Sequence, residues 1–128
     1  MSRFKEWKPP TFDEQGMTKW GWKCSHPESL EIGRNVDVGF SAYIQAEEGV
    51  VLEDDVQIAG GCKIYSVNTI EGTRGKVVIK REACVGGNSV VLPGVTIGEE
   101  AIVGALSLVK KDIPAGEVWG GVPARRLR

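Results

Sequence analysis

At 128 residues with a formal net charge of −1, the chain is sized for one domain and gives no electrostatic case for binding nucleic acid. No apolar run is long enough to span a membrane. Met1 to Lys8 lacks the pattern of a signal peptide, so a cytoplasmic location is expected. The three cysteines, Cys24, Cys62 and Cys84, have no metal-type spacing and read as reduced thiols.

Residues 1–31 read as an N-terminal arm and cap. Residues 1–16 are polar, carry Pro9-Pro10 and show no periodicity. Trp20 and Trp22 follow; they suit either a cover over the open end of a layered body or stacking on a sugar or base. The single histidine, His26, precedes Pro27. It is a candidate base, although it lies outside the periodic region and also suits a surface role.

From Ile32 a six-residue period begins: Ile32, Val38 and Ile44. It slips by two residues within 47–51 and resumes at Leu52, Ile58 and Ile64. It is lost across 66–78, a polar, glycine-bearing segment that reads as an extruded loop, the kind of place where chemistry tends to sit. Ile79, Val85, Val91, Ile97, Val103 and Val109 then run without a miss. Four residues after most leads comes a small residue, such as Ala83, Ser89, Ala101 or Ser107, and Cys62 falls at one of these positions. Glycine directly follows several leads and is expected to supply backbone freedom at a bend. Helices want apolar residues every three to four positions and simple strands every second. A clean period of six is a signature of parallel β-helices.

The expected fold is therefore all-β: a parallel β-helix over 32–114 in about four coils, with the loop 66–78 pushed out and residues 115–128 as an extended tail. Three inward columns follow: Ile32/Leu52/Ile79/Ile97, Val38/Ile58/Val85/Val103 and Ile44/Ile64/Val91/Val109. A slender prism leaves flat apolar sides exposed, and such sides usually meet a partner.

The stretches Ser89–Gly98, Val103–Ser107, Lys111–Pro114 and Gly121–Arg125 resemble the acyltransferase branch of the hexapeptide-repeat family. That branch contains galactoside, maltose and xenobiotic acetyltransferases and sugar-modifying enzymes of surface-polysaccharide pathways. The resemblance implies a left-handed β-helix, a homotrimer, and coenzyme A, as acetyl-CoA, held in a groove between two subunits. On this chain the donor would meet the backbone at Gly87 and Ala105, the small side chains of Ala105 and Ser107, and the turn at Val122-Pro123. Lys110, Lys111, Arg125 and Arg126 would take the phosphates.

In the galactoside and maltose enzymes a loop histidine acts as general base. The comparable loop here ends in Asn68 and Thr69, and the Gly86-Gly87-Asn88 corner has no imidazole. The catalytic candidates are Asn68, Thr69, Asn88 and His26, with Glu71 able to orient an acceptor. A neutral amine is already nucleophilic, so N-acylation of a sugar or sugar-nucleotide acceptor is favoured over O-acylation. The alternative is a trimeric scaffold of the same fold without catalysis. A γ-class carbonic anhydrase needs three histidines on zinc, and one histidine cannot supply them; no metal is expected.

Overall fold

The computed structural model describes residues 4–128. Its strands are two or three residues long and wind into a parallel β-helix with three faces. The first face carries β2 (Leu30–Ile32), β5 (Val50–Leu52), β10 (Val77–Ile79) and β13 (Thr96–Ile97). The second carries β3 (Asp37–Val38), β6 (Gln57–Ile58), β11 (Cys84–Val85), β14 (Ile102–Val103), β16 (Val118–Gly120) and β17 (Arg125–Arg126). The third carries β1 (Lys23–Ser25), β4 (Tyr43–Gln45), β7 (Lys63–Tyr65), β12 (Val90–Val91) and β15 (Leu108–Val109). A short antiparallel hairpin, β8 (Val67–Asn68) and β9 (Thr73–Arg74), projects between β7 and β10.

The three expected columns are the core. Ile32 pairs with Leu52, Leu52 with Ile79 and Ile79 with Ile97. Val38, Ile58, Val85 and Val103 stack on the second face. Ile44, Ile64, Val91 and Val109 stack on the third. Most of these side chains are fully buried, and each contributes about 1.5–3 kcal/mol of transfer free energy as an upper estimate. Ile32 is only half-buried because no strand pairs beneath β2.

The columns run on at both ends, beyond the four coils legible as a period. Cys24 lies under Ile44. Ile113 bridges to Ile97, and Trp119 stacks on Val103. Trp22 is buried against the core with Phe12 edge-on to it at 5.5 Å, and Trp7 donates its indole N–H to Val36 O at 3.0 Å. Trp22 thus covers the open end, whereas Trp20 stays 45% exposed. The segment expected as loop 66–78 is a hairpin, and its last residues have rejoined the first face by Val77.

The glycines that follow the leads do not serve as expected. Left-handed backbone falls two residues later, at Asn35, Ser41, Asp55, Gly61, Glu82, Asn88, Gly94, Glu100 and Leu106. Gly39, Gly86 and Gly98 are required by close approach instead. A Cβ on Gly86 would sit 2.5 Å from Ala105 N and 2.9 Å from Ala105 Cα in the next coil. The small residues four after most leads, such as Ala83, Ser89, Ala101 and Ser107, are buried, as expected for tight corners. Among the described residues no helix is long and apolar enough to cross a membrane.

Candidate functional site: the second corner of the prism

The corner between the second and third faces is a ladder of turns. Gly61 N–H donates to Phe40 O at 3.0 Å, Asn88 N–H to Gly60 O at 3.0 Å and Leu106 N–H to Gly87 O at 2.9 Å. Between Phe40 and Ala105 the rungs are Gly60-Gly61 and Gly87-Asn88, so much of the ridge is bare backbone. Asn88 sits at φ 57, a conformation its short polar side chain tolerates. Its carboxamide oxygen lies over Gly61, where a Cβ would collide with it. Among the described residues that carboxamide has no hydrogen-bond partner in the chain, so its acceptor and two donor hydrogens stand open.

Lys63 reaches the same place from β7. Its Nζ donates to Gly61 O at 2.8 Å. A carboxamide and an ammonium therefore converge on one glycine. Sequence reasoning missed Lys63, because an outward residue just before an inward lead reads as solvated surface. Only the curl of its side chain back to the corner reveals it. Cys62, packed beneath, has its thiol 3.1 Å from Gly86 O. Burial pushes its pKa up, so the thiol stays neutral.

Of the residues expected to meet the donor, Gly87 and Ala105 lie on the upper rungs. Ala105 is exposed, as are the apolar side chains of Leu106 (68%) beside it in the chain and of Val122 (72%) in the tail. Leu106 holds φ 60, a conformation that costs a bulky residue about 1–3 kcal/mol. Ser107 departs from expectation. It is buried, its hydroxyl donates to Gly104 O at 2.6 Å, and it accepts Gly121 N–H at 3.1 Å. Its side chain ties the tail to the prism and is not open to a ligand. The tail turns through a cis Val122-Pro123 bond, and Ala124 N–H donates to Leu108 O at 2.8 Å.

The remaining predicted residues lie elsewhere in the protomer. Asn68 and Thr69 are on the hairpin at the third corner, beside a cleft of about 290 Å³ lined by Tyr65, Val67, Ile70 and Leu92. The Asn68 side chain braces the hairpin turn: it donates to Glu71 Oε1 at 2.9 Å and accepts Ile70 N–H at 3.1 Å. Lys110 and Lys111 are exposed at this same corner, after β15. Arg125 and Arg126 lie in β17 on the second face, with Arg126 3.7 Å from Glu117. The four expected phosphate ligands thus divide between two sides of one protomer. His26 is exposed at the start of the 3-10 turn Pro27–Ser29, with φ 59. It is not at the second corner. Among the described residues no group of three or more His, Cys, Asp and Glu is placed to hold a metal ion.

A family model described as the hexapeptide repeat of succinyl-transferase matches residues 30–66 and 76–105. The galactoside O-acetyltransferase of Escherichia coli is 33% identical over 113 residues, 81% of this chain and 56% of that protein. A UDP-3-O-acylglucosamine N-acyltransferase of Rhodopseudomonas palustris is 33% identical over 79% of this chain and 28% of that protein. A hexapeptide-repeat acetyltransferase of Vibrio cholerae, solved with acetyl-coenzyme A, superposes with a TM-score of 0.77 at 26% identity, over 84% of this chain and 63% of that one. The chain thus spans only part of the length of these relatives. With the repeat matched across more than half its length and twelve inward aliphatics in register, the chain belongs to the hexapeptide-repeat family, whose fold is the expected left-handed β-helix.

Proposed function

We propose that the protein transfers an acyl group, acetyl in the simplest case, from coenzyme A to an amine on a sugar or sugar-nucleotide acceptor. The observation that carries this reading is the second corner. It presents an open carboxamide, Asn88, and an ammonium, Lys63, where the ridge is stripped to glycine. Relatives solved with acetyl-coenzyme A or coenzyme A on the same fold support the donor.

The chemistry follows from those two groups. A carboxamide orients an acceptor but takes no proton at neutral pH, so a hydroxyl nucleophile gains little from it. A neutral amine needs only to be held against the thioester, and positioning alone is worth up to about 7–11 kcal/mol of barrier. The amine nitrogen attacks the thioester carbon, the C–S bond breaks, and the proton from nitrogen leaves with the thiolate as free CoA thiol. Asn88 Oδ1 accepts an N–H of the incoming amine. The Lys63 ammonium stabilises the negative oxygen of the tetrahedral intermediate. Leu106 and Val122 give apolar surface to the pantetheine chain beside Ala105.

A homotrimer completes this arrangement. The third corner of one protomer, with Asn68, Thr69, Lys110 and Lys111, would then face the second corner of its neighbour, with Gly87, Asn88 and Ala105. That union restores one donor groove from two half-sites.

The test combines calorimetric titration with acetyl-CoA and a thiol-release assay on paired acceptors, an amino sugar and its hydroxyl counterpart. Binding near one site per chain and thiol release with the amine alone are expected. Lys63→Met should lower kcat by about ten-fold or more while leaving acetyl-CoA affinity within two-fold. Equal rates on the hydroxyl sugar would overturn N-acylation. Absence of acetyl-CoA binding at millimolar ligand would overturn the donor assignment and leave a scaffold of the same fold.

A further inference from the structure

Two buried hydroxyls lie behind the corner ridge, and the acyl-transfer chemistry above uses neither. Ser89 and Ser107 hold the same small-residue position in successive coils, and both are buried. They converge on one carbonyl. Gly104 O accepts the Ser89 hydroxyl at 3.1 Å and the Ser107 hydroxyl at 2.6 Å. Each hydroxyl oxygen in turn accepts a backbone N–H: Ser89 Oγ takes Ser107 N–H at 3.2 Å, and Ser107 Oγ takes Gly121 N–H at 3.1 Å. A carbonyl oxygen has two lone pairs, so Gly104 O is filled from inside the prism. A tight corner does not by itself call for a hydroxyl. Ala42, Val56, Ala83 and Ala101 fill the same offset after other leads and are just as buried.

The outward consequence follows from peptide geometry. A trans peptide is planar, with its C=O and N–H on opposite sides, and the Gly104–Ala105 bond is trans. Because Gly104 O faces the buried serines, Ala105 N–H faces out onto the ridge. Among the described residues it meets no acceptor. The space before it is open because Gly86 has no side chain; an added Cβ there would lie 2.5 Å from Ala105 N. Hydrogen bonds arranged in a chain polarise one another, so the two bonds to Gly104 O both fix the peptide plane and strengthen its N–H as a donor. Ala105 stands one coil above Gly87-Asn88, about 4.8 Å along the axis at the spacing of neighbouring strands.

We propose that Ser89 and Ser107 are positioning residues for the acyl donor. They hold the Gly104–Ala105 peptide so that Ala105 N–H donates to an amide carbonyl oxygen of the pantetheine chain, while the thioester lies one rung lower at Asn88. With the exposed apolar side chain of Leu106 beside it, that N–H suits a neutral amide better than a phosphate. Ser107 also holds Gly121, so one hydroxyl ties the tail to the rung that receives the donor. Neither serine touches the ligand. The inference rests on the acyl-transfer reading for the identity of that ligand; the orientation of the peptide does not.

The test compares Ser89→Ala, which keeps the bond from Gly121 to Ser107, with Ser107→Ala, which loses it. In thiol-release kinetics Ser107→Ala should raise the donor KM by about ten-fold or more and Ser89→Ala by about three-fold, with kcat within about two-fold in each. The loss should be equal for acetyl-CoA and for acetyl-pantetheine, which lacks the nucleotide. A loss confined to acetyl-CoA would mean that the serines act only by anchoring the arginines of the tail, and would overturn the proposal. In the ligand-free protein the Ala105 amide proton resonance should move upfield in both variants, while exchange of the Gly121 amide quickens only in Ser107→Ala. An unmoved Ala105 resonance, or unchanged kinetics beside a moved one, also overturns it. If the unmutated chain binds no acetyl-CoA, the acyl-transfer reading fails and the donor role fails with it. The Ala105 resonance, read without ligand, still decides whether the serines govern the peptide.

Discussion

The contrast between two glycines tests the packing logic on which the site depends. Gly86 is followed in the next coil by Ala105, and a Cβ there would lie 2.5 Å from Ala105 N and 2.9 Å from Gly104 C. Those are backbone atoms, so relief requires the two coils to part. Gly86 N–H donates to Val103 O at 2.8 Å, and Leu106 N–H donates to Gly87 O at 2.9 Å; both bonds would stretch. Overpacking costs about 1–3 kcal/mol and each weakened bond about 1 kcal/mol, so Gly86→Ala should destabilise by about 3–5 kcal/mol. That is a large share of the roughly 5–15 kcal/mol of a typical domain. Gly94 has φ +82 and nothing within 4 Å of an added Cβ, so Gly94→Ala should cost only the left-handed penalty, about 1–2 kcal/mol. Urea unfolding followed by tryptophan fluorescence at one protein concentration compares the two. Equal losses, or a larger loss at Gly94, would refute the claim that Gly86, like Gly39 and Gly98, serves close approach. They would also remove the reason for placing Gly87 and Asn88 where they stand.

Three further outcomes are expected. Asn88→His places an imidazole at a φ that His26 already adopts. It should raise acylation of a hydroxyl acceptor by about 10²–10⁴, with a pH inflection near 6.5; no gain would mean that Asn88 does not border the acceptor. Cys24 has its pKa pushed from 9.0 up to about 12, first by burial and then by Glu28. Between those values the unfolded chain has lost the proton that the folded chain keeps, so stability should hold below pH 9 and fall as pH rises toward 12. Urea midpoints in Cys24→Ala should show a shallower alkaline decline. Arg74 joins the hairpin to Glu47 and Glu48 at 2.9 and 3.0 Å. These pairs are exposed, so Arg74→Ala should leave the global urea midpoint unchanged while normalised hydrogen exchange quickens in β8 and β9. The Arg74 hydrogen bond, first among its causes, holds the Glu47 pKa down. In the unmutated chain that protection should therefore persist at neutral pH and fade as acid protonates Glu47 below its ordinary range.

The amino-acid sequence by itself determined the prism. A six-residue period needs only inward aliphatics and small corner residues, both local properties, and all three columns could be read from it. The hairpin was legible as a break in that period, though not as paired strands, because pairing within 66–78 depends on Ser66, Gly75 and Arg74 meeting partners far along the chain. The end caps were half legible. Cys24, Ile113 and Trp119 continue the columns but break the six-residue spacing, and only stacking on the neighbouring coil identifies them. The site was decided by tertiary structure. Asn88 is remote in sequence from Gly61 and Lys63, yet the parallel stack sets it on the rung next to theirs, and Lys63 declares itself only through its bond to Gly61 O. The same stacking sent Ser107 inward and divided Lys110 and Lys111 from Arg125 and Arg126. A residue's place along a coil follows from its own neighbours; what lies above and below it is set by the residues that wind between.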